Sequence, residues 1–244
     1  MNNYQPMTSF GAAAAEAYDA GLRRTDTAAT VEFLAALAGD GRALELAVGT
    51  GRIALPLAGR GIPVDGIDLS PEMVAQLRAK PGGDAIAVTI GDFADVPVEG
   101  EYRLIYLVFN TLFNLLSQDD QIRCFEQVAA HLTDDGSFVV EAFVPTFLTR
   151  LRDDQYVDAE MIAVDEVRFD VGRHDPVTQT LEESHVVLTA EGVRLFPIVC
   201  RYAWPSELDL MARLAGLRLK ERWGGWCGEP FEATSRDHVS VYGR

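Results

Sequence analysis

The sequence predicts an α/β fold in which a mostly parallel sheet carries helices on both faces and an antiparallel β insertion follows the fifth strand. Two observations predict it. Residues 42–143 alternate short apolar runs with amphipathic helical runs, which is the pattern of βαβ units. Residues 160–203 then break this rhythm with β-branched and aromatic runs separated by turn signals. The 244 residues suffice for one large domain of this kind.

The elements of the parallel part can be placed in order along the chain. Residues 1–40 are predicted to form a helical cap, with an alanine-rich helix at 12–22 and an amphipathic helix at 30–38. Strands are then predicted at residues 42–48, 63–67, 85–90, 103–109 and 137–143, with helices at 52–60, 71–80 and 118–132. Because helices alternate with the strands, this βαβ rhythm implies a parallel sheet with helices on both faces.

The last third of the chain is predicted to leave the parallel sheet and return to it. Residues 161–171, 179–189 and 193–202 are expected to form an antiparallel ribbon. A helix at 205–216 and strands at 217–223 and 237–243 would complete the sheet. The expected domains are therefore a cap of residues 1–40, a core of 41–150 and 204–244, and an insertion of 151–203 that shapes a pocket.

Composition narrows the class of partner. The chain carries 37 Asp and Glu against 21 Lys and Arg, a formal net charge of -16, which disfavours nucleic acid and anionic membranes. Three cysteines are too few for a disulfide framework or a metal site. No apolar run approaches the ~20 residues of a membrane span. The sequence indicates a cytoplasmic protein with a small-molecule partner, and a homodimer is compatible with it.

A glycine loop is the most informative local feature. Residues 43–51 and 64–68 predict a strand, a glycine turn, a helix and a second strand that ends in a carboxylate, which is how α/β proteins hold an adenosine. Gly49 and Gly51 lack a Cβ, so the backbone there can approach a ligand closely. Glu45 lies in an apolar strand, where an ionised carboxylate requires a partner.

The same loop is compatible with a dinucleotide. Residues 49–54 satisfy G-x-G-x-x-A, and Asp68 lies at about the spacing of a ribose-binding acid. The glycine loop and Asp68 alone therefore do not identify which adenosine-containing cofactor is bound.

Four short segments, in order, carry a resemblance that narrows the choice. They are ELAVGTGR at residues 45–52, GIDLSPEM at 66–73, GDF at 91–93 and LVFN at 107–110. Together they resemble the motifs of class I S-adenosylmethionine-dependent methyltransferases over about residues 30–145. The chain departs from the usual pattern at Ala47 and Val48, where Cys or Gly is more common. The resemblance implies a Rossmann-like, seven-stranded, mostly parallel sheet.

The resemblance also implies that S-adenosylmethionine is the cofactor. Asp68 would accept both ribose hydroxyls, Asp92 would accept from the adenine amine, and Glu45 would support the methionine end from beneath the loop. The implied cofactor-binding residues are Tyr18, Glu45, Ala47, Gly49, Thr50, Gly51, Arg52, Asp68, Leu69, Met73, Asp92, Phe93, Val108 and Asn110. A purely structural role stays open for Asp92 and Phe93, which are typical of a strand-ending turn, and for Tyr18, which is typical of a core aromatic.

The second half of the chain is similar to small-molecule N-methyltransferases, including those of amino sugars in natural-product pathways. N-methylation is therefore expected ahead of O- or C-methylation, with no metal. Candidate catalytic residues are Asn114 and Glu141, because the acceptor should lie beyond the ends of strands four and five, and His185, which could face the pocket from the inserted ribbon. A structural role stays open for Glu141 and His185. Some relatives carry a histidine near the position of Asn114, where this chain has none, which disfavours a base there. A nicotinamide-dependent oxidoreductase and a non-catalytic cofactor-binding module are the alternatives.

Overall fold

The computed structural model describes residues 26–244 and, before them, Gly11, Ala15 and Tyr18. The helix expected at residues 12–22 lies outside the described residues, except that Ala15 and Tyr18 are helical. Among the residues described, no helix combines the length and the apolar character needed to cross a membrane.

A seven-stranded sheet forms the centre of the molecule, as the sequence predicts. Its strands are β1 (Ala43–Leu46), β2 (Val64–Asp68), β3 (Ala87–Ile90), β4 (Tyr102–Leu107), β5 (Leu132–Phe143), β10 (Arg218–Trp223) and β11 (Asp237–Gly243). The spatial order is β10-β11-β5-β4-β1-β2-β3. β1 to β5 run parallel, and β11 is antiparallel to both β5 and β10.

Helices cover both faces of this sheet. They are α1 (Thr27–Ala38), α2 (Ala54–Ala58), α3 (Pro71–Arg78), α4 (Gln118–His131) and α5 (Pro205–Leu214). Alternation along the strands builds two cores: Leu44 and Leu46 of β1 belong to the core that includes α4 and α5 residues. Ala43 belongs to the core on the α1 face, with Leu104 and Tyr106 of β4.

The N-terminus of α3 shows how local sequence fixes the end of a helix beside the site. Ser70 has an extended backbone, and its side chain accepts a hydrogen bond from the amide of Met73. Pro71 occupies the first turn, where its missing N–H costs nothing. The SPEM run after β2 therefore starts a helix immediately beyond Asp68.

A second, antiparallel sheet follows β5, as predicted, but it has four strands where the sequence predicts three. Its strands are β6 (Gln155–Ile162), β7 (Glu166–Asp175), β8 (Thr180–Thr189) and β9 (Gly192–Arg201), in that order. The prediction of a single strand at residues 161–171 is wrong, because a turn in which the Ala163 amide donates to the Glu166 carbonyl separates β6 from β7. β6 is an exposed edge strand, so its residues lack the alternation that marks a half-buried strand.

The four-stranded sheet packs on the face that carries α4 and α5. Leu181 of β8 and Cys200 of β9 are opposite each other in the sheet and belong to the same core as Phe113, which follows β4. The insertion therefore lies over the carboxyl end of β4, where the sequence places the acceptor. The division of the chain into cap, core and insertion domains stays a prediction.

Candidate cofactor and acceptor site

The carboxyl ends of β1, β2 and β4 meet at one edge of the sheet because the three strands are parallel. The loop after β1 bends sharply there: Ala47, Gly49 and Gly51 all have positive φ, at 56°, 55° and 80°. Glycine adopts this conformation at no steric cost, whereas Ala47 is strained by about 1–2 kcal/mol. Ala47, which differs from the usual residue at this position, therefore adopts its backbone conformation at a cost in free energy that glycine would not have.

Asp68, at the end of β2, is bound to the glycine loop. Its Oδ2 accepts a hydrogen bond from the Gly49 amide at 2.6 Å, and its Oδ1 accepts from the Ser70 amide at 2.8 Å. Burial raises the pKa of this carboxyl, and the backbone hydrogen bonds act in the opposite direction. A carboxylate has about four lone-pair sites, so Asp68 can also accept from two vicinal hydroxyls. This is the role that the resemblance implies.

Glu45 lies beneath the loop, on the α1 face of β1, and is 3% exposed. Its Oε2 accepts a hydrogen bond from the Tyr106 hydroxyl at 3.1 Å, and the Ala54 backbone also contributes a hydrogen bond. Burial raises the pKa of Glu45 to about 8, against the lowering effects of Tyr106 and Arg52. The partner that the sequence requires is thus a neutral phenol, and a cation near the loop would favour ionisation of Glu45.

Arg52 connects the loop to its surroundings. Its guanidinium donates to the Thr27 hydroxyl at 3.3 Å and lies 3.9 Å from Asp26, at the start of α1. The same group stands 5.9 Å from the centre of the Phe109 ring, which follows β4. The glycine loop, α1 and the end of β4 are therefore joined by one side chain.

The residues expected near the adenine are only partly available to a ligand. Leu69 is 42% exposed and Met73 is buried behind the loop. Asp92 is exposed, and one of its oxygens accepts from the Ala94 amide at 2.8 Å. Phe93 packs its side chain into the core, so it would contribute backbone atoms to the site.

Thr50 and Val108 support the loop and the end of β4. Thr50 is 1% exposed, and its carbonyl accepts from the Lys80 ammonium at 2.8 Å. The Val108 carbonyl accepts from the Thr111 hydroxyl at 2.7 Å. Both residues thus hold their backbone in place through their carbonyl oxygens.

Two consecutive residues with positive φ follow β4. Phe109 and Asn110 have φ values of 61° and 62°, an unusual conformation for side chains of this size. The carboxylate of Glu141 on β5 accepts from the Phe109 amide at 2.6 Å. The amide oxygen of Asn110 accepts from the Phe143 amide at 2.6 Å. Glu141, expected as a base, is therefore engaged with the backbone at the end of β4.

A series of aromatic contacts extends from this point to the insertion. Ring centres are 5.0 Å apart for Phe113 and Phe143, 5.8 Å for Phe143 and Phe147, and 6.0 Å for Phe147 and Tyr156, all edge to face. The Tyr156 hydroxyl donates to Glu183. Phe143, Phe147 and Tyr156 are not among the residues predicted from the sequence. The available signal was a pair of phenylalanines, one at the end of β5 and one four residues later.

His185 lies at the far end of this series, on β8. Its Nδ1 is 2.6 Å from Asp170 and its Nε2 is 3.4 Å from Glu183. The hydrogen bond to Asp170 raises the pKa of His185, although burial opposes the shift. The ligand atoms of these three residues lie within 4.8 Å of one another, a spacing that a metal ion would accept. In this arrangement the imidazole of His185 lies between the two carboxylates and pairs with each of them.

Asn114 and Tyr18 complete the set of predicted residues. Asn114 ends a short 3-10 helix, Thr111–Asn114, and is half-buried beside Phe113. Tyr18 is helical and half-buried, and its sequence neighbours lie outside the described residues. The structure therefore brings Asn110, Asn114 and Glu141 to the end of β4, and places His185 on the inserted sheet.

Comparisons with known proteins agree with this geometry. Residues 43–136 match a family model described as a methyltransferase domain. The CcbJ methyltransferase from Streptomyces caelestis is 40% identical in sequence, with a TM-score of 0.92 over 98% of this chain and 99% of that one. The cypemycin N-terminal methyltransferase of a Streptomyces species is 27% identical over 206 residues, 84% of each chain. The amino pentose methyltransferase CalS10 from Micromonospora echinaspora, 22% identical, shares the fold with a TM-score of 0.70 over 100% of this chain and 99% of that one.

Proposed function

Since the chain belongs to the S-adenosylmethionine-dependent methyltransferases, we propose that it methylates an amine nitrogen of a small organic molecule in natural-product biosynthesis. Family membership decides the choice that the glycine loop leaves open between this cofactor and a dinucleotide. When bound, S-adenosylmethionine supplies a methyl group on a positively charged sulfur.

The residues at the ends of β1 and β2 fit this cofactor. A Cβ added at Gly49 would meet only the Met73 methyl group, at 3.9 Å, so the loop leaves open space where a ligand must approach the backbone. Asp68 offers lone pairs for the ribose hydroxyls. Glu45, nearly neutral near pH 7, would become ionised beside the cofactor's ammonium and sulfonium charges.

We propose nitrogen as the methylated atom because the chain is similar in sequence to the cypemycin N-terminal methyltransferase. The relative modifies an amino terminus according to its name, and the two chains align over most of their length. The aromatic series of Phe113, Phe143, Phe147 and Tyr156 supports this choice through Phe147, which is 42% exposed, because ring faces bind ammonium groups and their methylated products favourably. The acidic residues beyond Tyr156 add negative charge to the same wall.

Alignment is the main contribution that we propose for the protein. Holding nucleophile and methyl group in line contributes several kcal/mol without any proton transfer. Asn114 would orient the amine by a hydrogen bond at the end of β4. His185, oriented by Asp170, is the candidate to take the proton of an ammonium acceptor.

The test is methyl transfer from isotope-labelled S-adenosylmethionine to a panel of small primary amines, phenols and activated carbon acids. We expect label in an amine product, with the methylated atom identified by NMR. The Asp68→Ala variant, which removes the carboxylate that faces the loop, is assayed beside the parent protein. Its matched control is Asp65→Asn, because Asp65 lies on the same strand but is paired with Arg42 and Tyr102. Transfer only to phenols or carbon acids would contradict nitrogen methylation. Cofactor binding without transfer to any acceptor would indicate a non-catalytic module.

A further inference from the structure

Two side chains hold the end of β4 against β5. One comes from β5 and accepts from the backbone after β4, and the other comes from that segment and accepts from the backbone of β5. Glu141 of β5 accepts from the amide of Phe109, and Asn110 accepts from the amide of Phe143. The backbone N–H of Asn110 also donates to the backbone carbonyl of Glu141 at 3.2 Å. Two hydrogen bonds from the backbone of Phe109 and Asn110, and one to the Asn110 side chain, thereby tie these residues to β5.

This arrangement stabilises a conformation that the residues would otherwise avoid. Positive φ costs a non-glycine residue about 1–2 kcal/mol, and a bulky residue such as phenylalanine is rarely found there. Such strain persists where neighbouring groups enforce it, and it concentrates at functional sites. Asparagine tolerates the conformation better than phenylalanine does, so the enforcement is most necessary at Phe109.

The enforced conformation places the Phe109 side chain between the two halves of the site. Its ring is 37% exposed although it follows a buried strand, and it contacts Arg52 of the glycine loop. Without positive φ at residue 109, the chain would leave β4 in another direction and the ring would lose this position. The conformation of one residue therefore connects the cofactor loop, through Arg52, to the end of β4.

We propose that Glu141 and Asn110 are positioning residues for methyl transfer, which keep Phe109 in place beside the glycine loop, and that Glu141 does not act as the proton acceptor. The inference rests on the proposed function for its activity readout. A carboxylate used as an acceptor for a backbone amide can be replaced by an amide side chain, whose oxygen also accepts, although more weakly. A general base cannot be replaced in this way.

The variants Glu141→Gln and Glu141→Leu separate the two roles. We expect Glu141→Gln to keep kcat within about threefold of the parent, with an unchanged pH profile, while Glu141→Leu lowers kcat by about tenfold or more. If Glu141 were the base, both variants would lose activity to the same extent, and Glu141→Gln would abolish the acidic limb of the pH profile. That result would overturn the proposal.

A second pair of variants is independent of Glu141. Asn110→Asp keeps an acceptor oxygen and the tolerance of positive φ, whereas Asn110→Gly keeps only the tolerance. We expect Asn110→Asp to retain activity and Asn110→Gly to behave like Glu141→Leu. Equal activity of Asn110→Gly and the parent would contradict the positioning role of Asn110.

The amide NMR shift of Phe109 gives a readout without an acceptor. It should stay near its parent value in Glu141→Gln and move in Glu141→Leu, because the hydrogen bond is kept in the first and lost in the second. An unchanged shift in a folded Glu141→Leu protein would refute the positioning role, whatever the acceptor. Shifts as expected together with absent methyl transfer in the parent would instead contradict the proposed function alone.

Discussion

The amide of Gly49 donates a hydrogen bond to the carboxylate of Asp68 across 2.6 Å, and this bond joins the glycine loop after β1 to the end of β2. The same carboxylate accepts from Ser70, at the start of α3. One buried side chain thus sets the position of the loop, and in the proposed function it would also accept from the ribose hydroxyls. Cofactor affinity and loop geometry should therefore change together when Asp68 is replaced.

Asp68→Ala should weaken binding of S-adenosylhomocysteine by about 100-fold or more, because hydrogen bonds to a charged group contribute about 1.5–3 kcal/mol each. Isothermal titration calorimetry of the purified protein measures the change. Asp65→Asn removes a carboxylate charge elsewhere on β2 and should bind like the parent. Equal affinities of Asp68→Ala and the parent would exclude Asp68 from the cofactor site.

Ala47→Gly should stabilise the protein by up to about 1 kcal/mol. Relief of positive φ gains about 1–2 kcal/mol, and the greater freedom of glycine in the unfolded chain returns about 0.4–1 kcal/mol. Urea denaturation measures the difference. Ala36→Gly, at an exposed position within α1, is the control and should lose about 1 kcal/mol. A loss of stability in Ala47→Gly would show that the strain is not present in solution.

Glu45 predicts how stability depends on pH. Its pKa is about 8 in the folded protein and near 4.5 when exposed, so the unfolded chain holds fewer protons between these values. The stabilising contribution is complete below pH 4.5 and is lost as the pH rises through 8, with a slope of at most about 1.4 kcal/mol per pH unit.

The matched variant for this prediction is Glu45→Gln, which keeps an acceptor for Tyr106 but cannot ionise. The free energy of unfolding is measured at about pH 5.5, 6.5 and 7.5, which lie on the sloping part of the expected curve. The values for variant and parent should converge toward low pH and diverge toward high pH. Parallel curves for the two proteins would show that Glu45 has an ordinary pKa.

Gly66→Ala tests the packing beneath the loop. A Cβ at residue 66 would lie 2.7 Å from the Cβ of Val48, so the loop would have to move. We expect a loss of about 1–3 kcal/mol in stability and weaker binding of S-adenosylhomocysteine.

Gly61→Ala is the matched control for this change, because residue 61 has a φ of +89° but open space around its Cβ. It should lose only about 1–2 kcal/mol of conformational energy and leave cofactor affinity unchanged. Calorimetry of both variants distinguishes the effect of crowding at Val48 from a general effect of losing a glycine.

Gly172→Ala tests whether the inserted sheet forms the acceptor wall. A Cβ there would overlap the ring of Tyr156, which crosses β7 at this glycine and contacts Phe147. The KM for the acceptor should rise several-fold, whereas affinity for S-adenosylhomocysteine should stay the same. Ser184→Ala, on the opposite face of β8, serves as the control. A change in cofactor affinity alone would place the acceptor elsewhere.

Much of the placement of the residues in the proposed cofactor site could be predicted from the sequence because its signals are local. Gly49, Gly51 and Asp68 lie at the ends of adjacent parallel strands, and a strand, turn and helix pattern fixes that placement within about 25 residues. The start of α3 at Ser70 and Pro71 follows from capping alone. The need of Glu45 for a partner also follows from its apolar neighbours, although its partner does not.

The acceptor side could be predicted less well because its contacts join distant segments. Tyr106 meets Glu45 across 61 positions, and Glu141 reaches Phe109 across 32. No local pattern shows that Glu141 holds a strained backbone or that Phe147 and Tyr156 touch. β6 was not predicted as a separate strand for a different reason: an exposed edge strand carries no alternation of apolar and polar residues.

The sequence by itself therefore determined the succession of strands and helices outside β6, the glycine loop and the carboxylate that faces it, because hydrophobic period and turn chemistry act over short distances. Its four motifs carried the resemblance to the family. Only the tertiary structure decided which side chains meet at the end of β4. That outcome depends on strand register and sheet packing, which bring Glu141 and Asn110 to the backbone of Phe109 and direct the aromatic wall toward the inserted sheet.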